Sequence, residues 1–67
     1  MVPVDSSNVS AIGYDADAQE IRVMFANGDT YGYTPASQEL FDDFLSSGSK
    51  GQFMHRVLKR QCSARRV

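Results

Sequence analysis

The sequence predicts an α+β fold in the order βββαα: a three-stranded antiparallel meander followed by two α-helices packed on one of its faces. Three observations predict it. Ile21, Val23 and Phe25 alternate with Arg22, Met24 and Ala26, and Tyr31 and Tyr33 again stand two apart, with the turn dipeptide Asn27-Gly28 between the two runs. Val9 to Asp15 carries Ile12 and Tyr14 at the same spacing. Beyond Thr34-Pro35 the apolar residues change period, to Leu40, Phe41, Phe44 and Leu45 and then to Phe53, Met54, Val57 and Leu58. A hairpin alone is marginal in water and needs a third strand or a helix on its apolar face. The flanking segments supply both.

The elements follow in order. Residues 1–8 are polar and without a pattern, and are expected to form a loose lead-in. Val9 to Asp15 reads as the first strand, with Ser10, Ile12 and Tyr14 on one side. A four-residue loop at Asp15-Ala16-Asp17-Ala18 would pair Tyr14 with Gln19 and Ile12 with Ile21, so that Ile12, Tyr14, Ile21, Val23 and Phe25 share a face. At Asn27-Gly28 two registers compete. A two-residue turn pairs Phe25 with Thr30 and leaves Tyr31 and Tyr33 on the open face beside Arg22 and Met24. A three-residue loop, with Gly28 in the left-handed bulge position, pairs Phe25 with Asp29 and brings both tyrosines to the Phe25 face. The second is preferred, because Gly13, Arg22, Met24, Thr30, Gly32 and Thr34 then make a mostly small or polar outer face.

Thr34-Pro35 breaks the strand. The first helix is capped by Thr34, with Pro35 at its first position, or by Ser37 one turn later. Ser46-Ser47-Gly48 ends it. Ser49 with Gln52 has the form of a capping box for the second helix, whose surface carries His55, Arg56, Lys59 and Arg60. From Cys62 the pattern fades into what reads as a flexible basic tail, 62–67.

A chain of 67 residues allows one domain, 1–67, which buries roughly 60% of the surface that its unfolded form exposes. Cys62 is the sole cysteine, which rules out an internal disulfide and fits a reducing compartment. Neither a signal peptide nor a membrane-length apolar run is present, so a soluble, cytoplasmic protein is expected. Residues 1–43 hold all eight acids and a single base, Arg22, for a net −7. Residues 44–67 hold six bases and no acid, for +6. That division points to a polyanion-binding end, or to a basic end lying against the acidic part of the same molecule.

The run Ser6-Ser7-Asn8-Val9, then Ile12-Gly13-Tyr14-Asp15, the Ile21, Val23, Phe25 alternation, Gly28, Tyr31-Gly32-Tyr33 and Ser49-Lys50-Gly51-Gln52-Phe53 occur in this order. Together they resemble the KTSC domain family, over roughly residues 5–59. Its members are small stand-alone bacterial proteins or C-terminal appendages of some lysyl-tRNA synthetases. The resemblance implies a domain of unestablished function, with RNA binding suggested largely by association with a tRNA enzyme, which is an analogy. Many members have Val-Pro at the entrance of the first helix. This chain has Ala36-Ser37 there, with its proline displaced to Pro35.

Binding of RNA or other nucleic acid calls for cations along the phosphate path and aromatic faces for stacking. The candidates are Lys50, Arg56, Lys59, Arg60, Arg65 and Arg66, joined by His55 when protonated, with Tyr31 and Tyr33 as the aromatic pair. Lys50, with the free N–H groups of Gly51 and Gln52, offers a further phosphate contact at the start of the second helix. Catalysis and metal binding have little support. His55 has no acidic residue nearby in sequence, Cys62 has no fixed base, and Asp42 and Asp43 point about 100° apart on a helix. No catalytic residue, metal ligand or cofactor is therefore expected. The rival expectation is a protein partner or homodimer, engaged through the open sheet face or a sheet edge.

Overall fold

The computed structural model describes residues 1–4 and 6–67. Its strands are β1 (Val2–Pro3), β2 (Val9–Asp15), β3 (Glu20–Phe25), β4 (Thr30–Thr34) and β5 (Ser63–Arg66). They form one antiparallel sheet in the order β1-β2-β3-β4-β5. Between β4 and β5 lie helix α1 (Gln38–Ser46) and a second helical segment, α2. The latter is α-helical over Lys50–Phe53, π-helical over Met54–Leu58 and α-helical again over Lys59–Gln61. The α+β class and the central meander stand as expected, but the sheet has five strands rather than three.

Both additional strands come from segments expected to be loose. Val2 and Pro3 pair with Ile12 and Ala11, and the Val4 N–H donates to the Ser10 carbonyl at 3.2 Å. Two residues are too few to show alternation, and a proline is acceptable on a sheet edge. Ser63–Arg66 pairs with Tyr31 to Thr34, and the Val67 N–H donates to the Thr30 carbonyl at 2.9 Å. Its arginines masked the strand by reading as a solvated tail. Cys62, expected within that tail, ends α2 instead: its N–H donates to the Leu58 carbonyl at 2.8 Å and its thiol to that of Pro35 at 3.1 Å.

The β3–β4 turn takes the three-residue form. Phe25 N–H donates to the Asp29 carbonyl at 2.8 Å, Gly28 N–H donates to the Phe25 carbonyl at 2.9 Å, and Gly28 has φ 95°. Val23 therefore faces Tyr31 and Ile21 faces Tyr33. Before it, β2 and β3 pair Asp15 with Glu20 and Ile12 with Val23, so the loop is Ala16–Gln19 and not Asp15–Ala18. The side chain of Asp15 draws the loop in by accepting from the N–H groups of Asp17 and Ala18. The shift is by an even number, so the faces keep their assignment. Ser10, expected on the inner side, is instead the extra residue of a bulge between Val9 and Ala11, which leaves it exposed and turns Val9 inward.

The core is Val9, Ile12, Ile21 and Val23 from the sheet, Ala36, Phe41 and Phe44 from the α1 region, and Met54 and Leu58 from α2. Of the two cap alternatives, Ser37 is the one formed: its hydroxyl accepts from the Leu40 N–H at 3.1 Å. Tyr14 stacks on Phe41 and donates to the Ala36 carbonyl at 2.7 Å, which fixes α1 against β2. Phe44 stacks on Phe53 at 5.2 Å between centroids and joins the helices.

The outer face is not the open surface that the sequence implied. Gly13, Arg22, Gly32 and Arg65 lie in one row across four strands. The side chain of Met1 lies over Gly13. Glu20, fully buried, reaches the space above Gly32, where its Oε1 accepts from Arg22 Nε and its Oε2 from Arg65 Nε, both at 2.8 Å. The Arg65 hydrogen bond, then that of Arg22, holds the Glu20 carboxyl below its ordinary value of about 4.5. In the unfolded chain the group binds its proton at the higher pH, so its stabilising contribution is complete above that value and is lost as pH falls through the folded one. Stability against urea is expected to be level near neutrality and to decline on acidification, and Glu20→Gln should flatten that decline. An equally steep loss in the variant would mean that this network does not contribute.

Candidate nucleic-acid interface

The basic residues expected to act together separate into two groups. On β5, Arg65 is bound to Glu20, and Arg66 Nη2 donates to Asp29 Oδ1 at 2.9 Å. The acidic first half of the chain thus neutralises the basic strand. On α2, Arg56, Lys59 and Arg60 are exposed, as is His55, and none of them has an ion-pair partner among the described residues. Lys50 belongs to neither group. Its ammonium donates to the Ser47 carbonyl at 2.6 Å, while the Gln52 N–H is taken by the Ser49 hydroxyl at 3.3 Å. Ser49 thus caps the second helix through its hydroxyl, and the phosphate contact expected at Lys50, Gly51 and Gln52 finds two of its three donors engaged.

The helix that presents these cations is wider than an α-helix. Lys59 N–H donates to the Met54 carbonyl five residues earlier, so the turn that holds His55 and Arg56 contains one extra residue. Single π turns of this kind are frequent at functional sites. Apolar spacing gives no sign of it, because Met54 and Leu58, four apart, reach the core as they would from an α-helix.

The tyrosines lie on the helix side of the sheet, and they differ. Tyr33 packs against the core and is half-buried. Burial, and secondarily the neighbouring Tyr31 and Cys62, pushes its phenol up, so it stays a neutral hydroxyl. Tyr31 meets Phe25 edge-on at 5.6 Å and borders a separate hollow with Asn8 and Asn27. Between β4–β5 and α2 runs an open groove of about 350 Å³, lined by Tyr33, Met54, His55, Lys59, Cys62 and Ala64 together with Gly51. A second hollow, of about 480 Å³, continues past His55 to Gln52 and Arg56. Sequence reasoning named the tyrosines and the cations but not the groove, since Met54, Cys62 and Ala64 carry no signal of their own.

Chemistry of other kinds finds few groups here. Burial pushes the Cys62 thiol up, away from the reactive thiolate. Among the described residues no three His, Cys, Asp or Glu side chains gather as a metal site, and no helix is long and apolar enough to cross a membrane.

The KTSC domain profile matches residues 5–61. This chain belongs to the KTSC domain family. A protein of Tsukamurella paurometabola is 41% identical over 59 residues, covering 88% of each chain. An uncharacterized protein of Stutzerimonas stutzeri is 32% identical over 60 residues, which is 90% of this chain and 84% of that one. The crystal structure of a KTSC domain protein from Yersinia pestis is similar with a TM-score of 0.86 at 35% identity, covering 97% of this chain and 92% of the other. The KTSC match takes in α2 with Arg56, Lys59 and Arg60 and stops short of Arg65 and Arg66. Arg56, Lys59 and Arg60, which have no ion-pair partner among the described residues, are therefore inside the family's segment, and Arg65 and Arg66 are outside it.

Proposed function

We propose that this KTSC domain is a small non-catalytic module that binds single-stranded or looped RNA, or other single-stranded nucleic acid, along α2 and the groove beside it. The observation that carries this reading is the division of charge. Arg65 and Arg66 are matched to acids, whereas Arg56, Lys59 and Arg60 have no acid partner among the described residues and stand on one helix beside a groove with an aromatic wall. Cations that have no acid to satisfy keep their charge for phosphates, and contact releases the counterions condensed on the strand. Tyr33, and Tyr31 further along the same strand face, offer ring surface to unstacked bases. Arg65 and Arg66, named with the others from sequence, serve the fold on this reading, and Lys50 serves the α1–α2 corner.

The test is a fluorescence-anisotropy titration with mixed-sequence RNA and DNA strands at low and moderate salt. Binding is expected in the range of about 10⁻⁴ to 10⁻⁶ M, weakening by about 0.7 decades per phosphate contact for each decade of salt. Absence of any anisotropy change at low salt, with protein at hundreds of micromolar, would overturn the reading.

A further inference from the structure

We infer that the groove between β4–β5 and α2 is the seat of one nucleotide unit, its base lying on Tyr33 and its phosphate held by His55 and Lys59; this deepens the nucleic-acid reading and rests on it. Tyr33 and Ala64 face each other across β4 and β5 and form one wall. Met54, His55 and Lys59, from the widened turn of α2, form the other, and Cys62 closes the end. The occupant is defined by what these groups can satisfy. Ring, thioether, thiol and methyl make an apolar lining suited to a flat, weakly polar body. The rim offers an imidazole and an ammonium, and among the described residues no carboxylate lines the hollow, so the flat body should carry an anion. A base joined to a phosphate meets both conditions.

Size narrows the choice. At about 350 Å³ the hollow is at the low end of small-molecule sites, which run from about 300 to 1,000 Å³. That accommodates one nucleotide and not two. The π turn places Met54 and His55 next to each other along this wall, with Lys59 closing the same turn.

The experiment is a ¹H–¹⁵N NMR titration of the full 67-residue chain at low salt with adenosine 5′-monophosphate, adenosine and inorganic phosphate, alongside a mixed-sequence oligonucleotide. The monophosphate is expected to move the amide signals of Tyr33, His55, Lys59 and Cys62 saturably, with adenosine and phosphate each about tenfold weaker. Tyr33→Ser should weaken the monophosphate about tenfold while Tyr33→Phe retains it, as stacking requires. Lys59→Gln, at an exposed position, should also weaken it without disturbing the fold. If the oligonucleotide binds and the monophosphate leaves these amides unmoved, the seat is wrong and the electrostatic reading stands. If neither binds, the broader reading falls and takes the seat with it.

Discussion

Replacing Gly32 with valine is expected to destabilise the domain by about 3 kcal/mol, in the upper range of overpacking effects. A Cβ at this position would overlap the Glu20 carboxylate. A glutamate tip is ordinarily free to swing aside, but this one is fully buried and held by two guanidinium groups at 2.8 Å. Making room would break both bonds and strand a carboxylate away from water. Domains hold about 0.05–0.15 kcal/mol of stability per residue, so a loss of this size removes a large share of what 67 residues provide. Urea denaturation followed by circular dichroism measures it. Gly51→Ala is the control: nothing lies within 4 Å of its added Cβ, and alanine favours a helix over glycine by about 1 kcal/mol. Equal stability of Gly32→Val and the parent protein would show that Glu20 is not held as described. The combination Glu20→Ala with Gly32→Ala should cost less than the two single changes added together, because removing the carboxylate vacates the space that the new methyl needs.

The second large effect is on binding. The combined change of Arg56, Lys59 and Arg60 to glutamine is expected to lower affinity for single strands about a hundredfold at 0.1 M salt, which is three contacts at about 0.7 decades each. The fold should not change, because all three side chains are exposed and none has an ion-pair partner among the described residues. The complementary variant, Arg65→Gln with Arg66→Gln, should behave in the opposite way. It removes one of the two partners of Glu20, and the partner of Asp29, and so weakens β5, while affinity stays within about twofold. Anisotropy and denaturation on the same two proteins separate the effects. Loss of fold in the helix variant, or loss of binding in the strand variant, would reverse the assignment of roles.

The inner face was legible in the sequence because it follows from one parity argument. Once Gly28 occupies the left-handed bulge position, Tyr31 and Tyr33 must share a side with Phe25, and they do. The core of the helices was legible from spacing at Phe41, Phe44, Met54 and Leu58, whereas Leu45, expected in the same stripe, is exposed. What escaped has physical reasons. β1 is two residues long, below the length at which alternation can be seen. β5 is Ser-Ala-Arg-Arg, a composition that reads as solvated unless the acids opposite it are known, and Glu20 and Asp29 are 45 and 37 residues away in sequence. The π turn of α2 leaves the apolar period intact. The candidate cations were readable as a set, but which of them remain free depended on the pairing of β5 with β4, a contact that no local pattern announces.

The most direct test of the central claim is the slope of log affinity against log salt for an unstructured RNA strand, measured for the parent protein, the Arg56/Lys59/Arg60 glutamine variant and the Arg65/Arg66 glutamine variant. The helix variant is expected to have a slope shallower by about 2, reflecting three lost phosphate contacts, and the strand variant to keep the parent slope. A parent slope preserved in the helix variant and flattened in the strand variant would contradict the claim that free charge on α2 forms the interface.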